Sequence, residues 1–591
     1  MSNTTTSPNL DAIVEKVINA SFADPFVLKK GGLFYKKNKK NNNGEHEEEL
    51  EWLSSPISPV AHIRDIEGKD HSILFIANDG ERNHDLFLPR KTMARWGELS
   101  DILLSIGLDI SLYPDKQKLL QTYLLKVKPS KKMILVDKAG WHGNRYILPS
   151  GEVLGTVKFG EEGIYVKAEK HIKGIGEKGS VSSWQSNVLP LCVDNTRLIF
   201  SLGVAFSSLC VGLIEGESCI YNLKGPSSKG KSKCLRVGIS VLGSPEYMQN
   251  WRATDNGLEG LCCARHHTLL ALDEMGQFDG KDLGAVAYMI ANGSGKERSK
   301  SDTTARPAKT WTTTVLSTAE VGLESHMLSS GKKVKAGQLI RALDVPAIVE
   351  NGNGCFDNIH DSLNGREFAD KIDRACADHY GLAGRAFIEF IVAGNIEEHK
   401  QYLKIEIKNF VDQFAKDCDG QVMRAASKFG LICASLKLAA RSGVLGDYFT
   451  DDMINNSIVS CFQSWLENRG TSGDSETQKL VEQVKGLLNE NMEGKFLEIN
   501  AKDPCDKAGV KTLWGYKKGT TYYIFPRAFT NYICKDFELH QAIEILTKEG
   551  LLIPGRTTSS KTHRFPAHPI KPDRFYEIKF KGEGETKGES S

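Results

Sequence analysis

Two groups of residues in this sequence have the types and spacing needed to split a phosphoanhydride. The first is Gly225-Pro226-Ser227-Ser228-Lys229-Gly230-Lys231-Ser232, a G-x-x-x-x-G-K-S run. Gly225 and Gly230 let the backbone turn tightly and bring its N–H groups up to phosphate oxygens. Lys231 supplies a point charge for the β- and γ-phosphates of a nucleotide, and the Ser232 hydroxyl is a ligand for Mg²⁺. The second is Leu272-Asp273-Glu274, about forty residues further on, where an apolar run ends in adjacent acids. In that position Asp273 holds Mg²⁺ through solvent and Glu274 polarises an attacking water.

The flanking residues predict elements that can aim these groups. Ser218–Leu223 reads as a buried strand entering the loop, and Lys233–Val241 as a helix leaving it. Strand, glycine loop and helix is the context a phosphate-binding loop requires. Asp255–His266 is a predicted helix, and Lys281–Ala291 a second one with Leu283, Val286, Ala287 and Ile290 on one face. Trp311–Leu316 is a Thr/Val-rich strand ending in Ser317-Thr318, polar groups suited to sensing a γ-phosphate. Between the last two elements lies a Gly/Ser-rich tip carrying Lys296, Arg298, Lys300, Arg306 and Lys309. A basic tip of this kind is either a solvated loop or a finger that grips a nucleic-acid backbone without reading sequence. Arg341 opens a later strand and has two readings, a salt bridge with Asp344 or a reach into the nucleotide site of a neighbouring subunit. Arg424, near the start of a long apolar helix, is a candidate second phosphate sensor in a helical lid.

The bulk composition sets limits. With 591 residues, several domains are expected; 40% hydrophobic and 25% charged residues suit a globular protein. A net charge of +2 makes any nucleic-acid surface local rather than global. Thirteen scattered cysteines with no C-x-x-C argue against zinc ribbons and disulfide scaffolds, and for a reducing cytoplasm. Leu198–Ile214 is nearly uncharged, but it is short for a membrane span and interrupted by Ser and Gly. A helix buried beneath the nucleotide sheet is the expectation.

The predicted architecture is α/β. Residues 1–55 read as a tail and flexible linker, with a short helix at Ile13–Phe22 and a Lys/Asn- then Glu-rich run, Lys36–Glu51, expected to be disordered. A β-rich accessory domain spans 56–180 and the P-loop core 190–350. A helical lid region covers 351–470 and a linker 471–500. A winged-helix-like domain covers 501–580, which either binds duplex DNA or docks on the motor, and a disordered tail covers 581–591.

Gly140-Trp141-His142-Gly143 with Tyr146-Ile147-Leu148-Pro149, Trp251-Arg252-Ala253-Thr254 with Gly257-Leu258-Glu259, Leu272-Asp273-Glu274, Ser317-Thr318-Ala319-Glu320 and Arg341–Pro346 together resemble the domain-of-unknown-function 927 family. These are helicase-like proteins of prophages and mobile elements. They include chromosome-cassette helicases, which are similar to the minichromosome-maintenance branch of AAA+ motors. The resemblance covers roughly residues 60–450. It implies an AAA+ core in a homo-hexameric ring that hydrolyses Mg²⁺-ATP at subunit interfaces and moves along single-stranded or forked DNA. Element-encoded replication partners are also implied, and no membrane. It assigns the basic tip to a pore hairpin, Arg341 to a trans-acting arginine, Arg424 to a lid sensor and Ser317-Thr318 to the place of the usual sensor asparagine. A different class of reading is an ATP-gated initiator or loader that grips DNA without unwinding it. A third is a chaperone-like ATPase acting on protein.

Overall fold

The structure is a computed structural model that describes residues 24–40, 46–156, 162–166, 172–278, 283–295, 298–299, 305–306, 308–329, 336–469, 475–490, 495–499, 513–535, 537, 539–555, 560–563 and 573–580. The helix expected at Ile13–Phe22 and the final tail lie outside the described residues. The chain divides into two compact units, residues 1–175 with 388–396, and residues 176–387 with 397–591.

The first unit opens with a correction. The charged run expected to be a disordered linker supplies two strands, β2 (Gly32–Lys40) and β3 (His46–Ser54), in an antiparallel sheet with β1 (Phe26–Lys29). The register sets Lys37 opposite Glu49 and Lys39 opposite Glu47, so the lysine and glutamate blocks neutralise each other across the ladder. Lys37 Nζ lies 3.0 Å from Glu51 and Lys39 Nζ 3.5 Å from Glu49. Composition predicts disorder for either block alone, and their pairing removes the repulsion that prediction rests on. Lys37→Glu should therefore lower the melting temperature of the protein at low salt and do so much less near ~1 M salt, as thermal melts at the two ionic strengths would show.

Strands β4 (Ile57–Arg64), β5 (Ser72–Asn78), β6 (Asn83–Pro89), β7 (Lys132–Val136) and β11 (Gly163–Val166) form one sheet in the order β11-β7-β4-β5-β6. Its alternating residues Ile73, Phe75 and Ala77 pack with Leu99, Leu103, Leu120 and Tyr123 from the helices Trp96–Ser105 and Pro114–Lys126. The Gly140–Leu154 stretch is a three-stranded meander of β8 (Gly140–His142), β9 (Arg145–Ile147) and β10 (Val153–Leu154).

In the second unit, β12 (Cys219–Lys224), β13 (Gln249–Asn250), β14 (Leu269–Asp273), β17 (Thr314–Ala319) and β18 (Ala342–Pro346) make a parallel sheet ordered β13-β14-β17-β12-β18. Its inner strands are buried on both faces, which is why they read as continuous apolar runs rather than alternating ones. Most of the uncharged segment Leu198–Ile214 lies in the helix Thr196–Cys210. This helix is buried along its length and packs on β14 and β17 and against the helix Gly420–Arg441. At Gly203 a Cβ would meet Ile432 at 2.4 Å, so the two helices approach at a point that only glycine allows. Phe200, Tyr221, Phe429, Phe462 and Trp465 interlock around this contact. Full burial of each such ring contributes about 1.5–3 kcal/mol. No helix among the described residues is long and apolar enough to cross a membrane.

Helices Gly365–Asp378, Leu382–Ala393, Ile396–Phe414, Gly420–Arg441 and Asp451–Arg469 occupy the region expected to be helical. The segment expected to be a linker after residue 470 is not one. Its helix Ser475–Glu490 buries Leu480, Val484 and Leu488 in the same core as Trp514, Tyr522, Phe529, Leu546 and Ile578. Nor is the sheet of this last domain a short wing. Strands β19 (Phe496–Glu498), β20 (Gly515–Lys518), β21 (Thr521–Ile524), β22 (Lys561–His563) and β23 (Asp573–Lys579) form five strands ordered β19-β20-β21-β23-β22. Strand β19 was not legible because three residues are too few to show alternation.

Candidate nucleotide site

Strand β12 sits between β17 and β18, and β17 separates it from β14. In a parallel sheet the loops leaving neighbouring strands emerge at one edge, where ligands bind in open α/β folds. The loop after β12 therefore meets the ends of β14 and β17.

That loop is held by backbone bonds before any ligand is considered. Gly225 N–H donates to Ala319 at 3.1 Å, and Cys355 N–H donates to the Lys229 carbonyl at 2.9 Å. Gly230 has φ 96° and a Cβ there would lie 2.7 Å from the Phe356 ring, so both conformation and space require glycine. Gly354 is as constrained, since its Cβ would come within 2.4 Å of the Lys229 carbonyl. The turn at Gly354-Cys355-Phe356 is thus a brace on the phosphate loop that the sequence reading missed. Its signal was the repeated turn residues Asn351-Gly352-Asn353-Gly354.

The helix Lys231–Ser240 starts behind Gly230, with no side-chain cap on its first N–H groups. These N–H groups and the helix dipole suit an anion. Lys231 is 8% exposed and donates to the carbonyls of Gly225 at 2.8 Å and Pro226 at 2.6 Å. Ser232 Oγ donates to Asp273 Oδ1 at 3.3 Å, which brings the two expected Mg²⁺ ligands together. Such a donor set fits Mg²⁺, which takes few protein oxygens and completes its shell with phosphate and water.

Glu274 has left-handed backbone, φ 59°, and its N–H donates to Thr318 Oγ1 at 3.0 Å. The Thr318 hydroxyl in turn donates to Asp273 Oδ1, while Gln277 Nε2 donates to Glu274 Oε2. Ser227, Ser228, Lys231, Ser232, Asp273, Glu274 and Thr318 all line one cavity of about 490 Å³.

The Ser317-Thr318 pair splits, and this corrects the choice of Ser317. Consecutive residues of a strand point to opposite faces. Ser317 is fully buried and its Oγ accepts from Trp251 Nε1 at 2.8 Å, away from the cavity. Thr318 faces the cavity and links both acids. Thr318→Val should keep the fold and lower the turnover number for ATP about thirtyfold, because two polar contacts to the acidic pair go, one of them to a charged group. Steady-state hydrolysis, with circular dichroism as the folding control, measures this.

Of the other expected residues, Arg341 does not pair with Asp344. That carboxyl is partly buried, accepts from Asn222 Nδ2 at 2.6 Å and Leu323 N–H at 2.9 Å, and is pushed above the ordinary Asp range by desolvation. The Arg341 guanidinium lies 4.8 Å from the Tyr288 ring centroid and donates to the Gly337 carbonyl at 2.9 Å. No arginine is among the described residues lining the cavity. Arg424 is exposed on the second turn of its helix. Lys296 and Lys300 lie outside the described residues. The tip contains an antiparallel pair of β15 (Arg298–Ser299) and β16 (Ala305–Arg306), with Arg298 opposite Arg306. Lys309 stands at its base, where its carbonyl accepts from Gly295 N–H at 2.8 Å.

The second unit is thus an α/β fold with a parallel sheet, at one edge of which a glycine-rich loop, two adjacent acids and a bridging hydroxyl meet. Residues 26–310 match the model of the family described as Domain of unknown function (DUF927). A solved structure, SCCmec type IV Cch, described as an active helicase, shares the fold with a TM-score of 0.67 at 18% identity, over 95% of this chain and 98% of that one. The apo A form of the NrS-1 C-terminal region aligns at a TM-score of only 0.24 and 12% identity, over 69% of this chain and 92% of that one, and carries no argument. No curated protein matches the sequence.

Proposed function

We propose that this chain is an ATP-driven DNA helicase of the AAA+ type that works as a ring of identical subunits on single-stranded DNA, in the replication of a mobile element or prophage. The observation that carries the reading is the convergence of Lys231, Ser232, Asp273, Glu274 and Thr318 on one cavity. The DUF927 match and the fold shared with a helicase support it.

In this reading Lys231 turns from the loop carbonyls to the β- and γ-phosphates, and the loop N–H groups cradle them. Ser232 and Asp273 would hold Mg²⁺, which when bound would neutralise charge on the phosphate oxygens. Glu274 takes a proton from the attacking water as the bond to the γ-phosphorus forms and the bridging bond to ADP breaks. Thr318 keeps the two acids in register. Arg341 serves the site of the next subunit, and Arg424 caps the nucleotide from the helical region. Lys296, Arg298, Lys300, Arg306 and Lys309 carry the DNA backbone along a central channel. The machine belongs in the cytoplasm.

The test is the ATPase rate with and without single-stranded DNA, alongside strand separation on a forked duplex. Stimulated hydrolysis with unwinding is the expected result. Stimulated hydrolysis without unwinding would favour the initiator or loader, and hydrolysis indifferent to DNA would remove a DNA motor altogether.

A further inference from the structure

We infer that Tyr288 is a positioning residue for Arg341, and that its ring ties the arginine to the base of the basic hairpin. The inference rests on the trans-acting reading of Arg341 given above.

Tyr288 is 40% exposed on a helix whose other face is buried in the core of the sheet domain. Packing of that core therefore does not account for the ring. What it touches is the Arg341 guanidinium, at 4.8 Å from the ring centroid. The same guanidinium donates to the Gly337 carbonyl at 2.9 Å, and a Cβ on Gly337 would sit 3.3 Å from Arg341 Nη1. The Tyr288 ring on one side and Gly337 on the other form a two-sided seat for the guanidinium. An arginine on the surface otherwise samples many rotamers, and holding it in one lowers the entropy lost when it meets a phosphate. A ring face suits this task because it attracts the guanidinium yet leaves some of its N–H donors available to a planar acceptor.

Tyr288 also has a second connection. Its helix, Leu283–Asn292, runs into Gly293, whose carbonyl accepts from Trp311 N–H at 2.8 Å, while Trp311 Nε1 donates to Ile290 at 2.9 Å. The next residues begin the hairpin, with Ser294 bridged to Thr310. A shift of Arg341 on meeting a neighbour's nucleotide is thus passed through the Tyr288 ring to the helix that carries the hairpin.

The experiment compares Tyr288→Ala, Tyr288→Phe, Arg341→Ala and the Tyr288→Ala/Arg341→Ala double variant in full-length protein, measuring the turnover number and KM for ATP with and without single-stranded DNA. Tyr288→Ala is expected to lower the turnover number roughly tenfold with KM little changed, and to weaken the stimulation by DNA. Tyr288→Phe is expected to restore both, since the ring face is retained and only the hydroxyl is lost. Adding Tyr288→Ala to Arg341→Ala should cost nothing further, because the residue it positions is gone. If Arg341→Ala slows turnover while Tyr288→Ala equals wild type, the inference is overturned and the trans-acting reading stands. If Arg341→Ala equals wild type, the trans-acting reading itself fails. Equal defects in Tyr288→Phe and Tyr288→Ala, or additive losses in the double variant, would also overturn the positioning role.

Discussion

Replacing Glu274 with Gln should lower the turnover number for ATP hydrolysis by about 10³-fold and leave nucleotide binding nearly intact. The amide has the carboxylate's size, so the backbone bond from Glu274 N–H to Thr318 Oγ1 survives. What the amide cannot do is accept a proton from water at neutral pH. The groups proposed to hold the phosphates and Mg²⁺, Lys231 and Ser232, are untouched, so the affinity for a fluorescent ATP analogue should change little. Lys231→Ala should behave in the opposite sense and lose binding together with turnover. A Glu274→Gln variant within about threefold of wild-type turnover would remove Glu274 as the general base, and with it the proposed division of labour between the adjacent acids.

The second large effect is expected at Arg341. Arg341→Ala should reduce turnover by about 10³-fold, the scale found when an arginine that stabilises the transferring phosphoryl group is lost. The described lining of the cavity supplies Lys231 as a cation held against the loop, but no arginine, while Arg341 is seated on Tyr288 and Gly337. If the arginine acts across a seam between copies, two inactive variants should rescue each other. In a co-expressed mixture of Arg341→Ala and Glu274→Gln subunits, some seams pair an intact Glu274 on one side with an intact Arg341 on the other. Recovery of activity above both parents is the expected outcome of the mixed assay. No recovery, with mixed assemblies shown by mass spectrometry, would mean that both residues act in one chain.

The local signals were strong where chemistry restricts residue choice. Gly225, Gly230, Lys231 and Ser232 could be read directly, because a tight turn, a buried cation and a hydroxyl beside a carboxylate tolerate few substitutes. The buried strands before Asp273 and Ser317 could also be read, because a parallel sheet covered on both faces needs continuous apolar runs. The uncharged stretch from Leu198 to Ile214 was recognisable as a buried helix for a similar reason, since it has no face polar enough for water.

Other features depend on which segments meet, and nearest-neighbour composition does not record that. Lys36–Lys40 and Glu47–Glu51 look like disordered blocks until the register sets them opposite one another. Ser317 and Thr318 are equally plausible as sensors in sequence, and only the pleat of β17 beside Trp251 sends one inward and the other to the acids. Arg341 had a nearby acid as an obvious partner, yet Asp344 is occupied by Asn222 and the Leu323 N–H, leaving the guanidinium to an aromatic ring more than fifty positions earlier in the chain. The sequence by itself determined the glycine-rich loop with its lysine and serine and the adjacent acids that end an apolar strand, because those features are set by residue type at short spacing. The tertiary structure alone decided which hydroxyl joins the two acids and where the arginine rests, because both follow from contacts between strands and helices far apart in the chain.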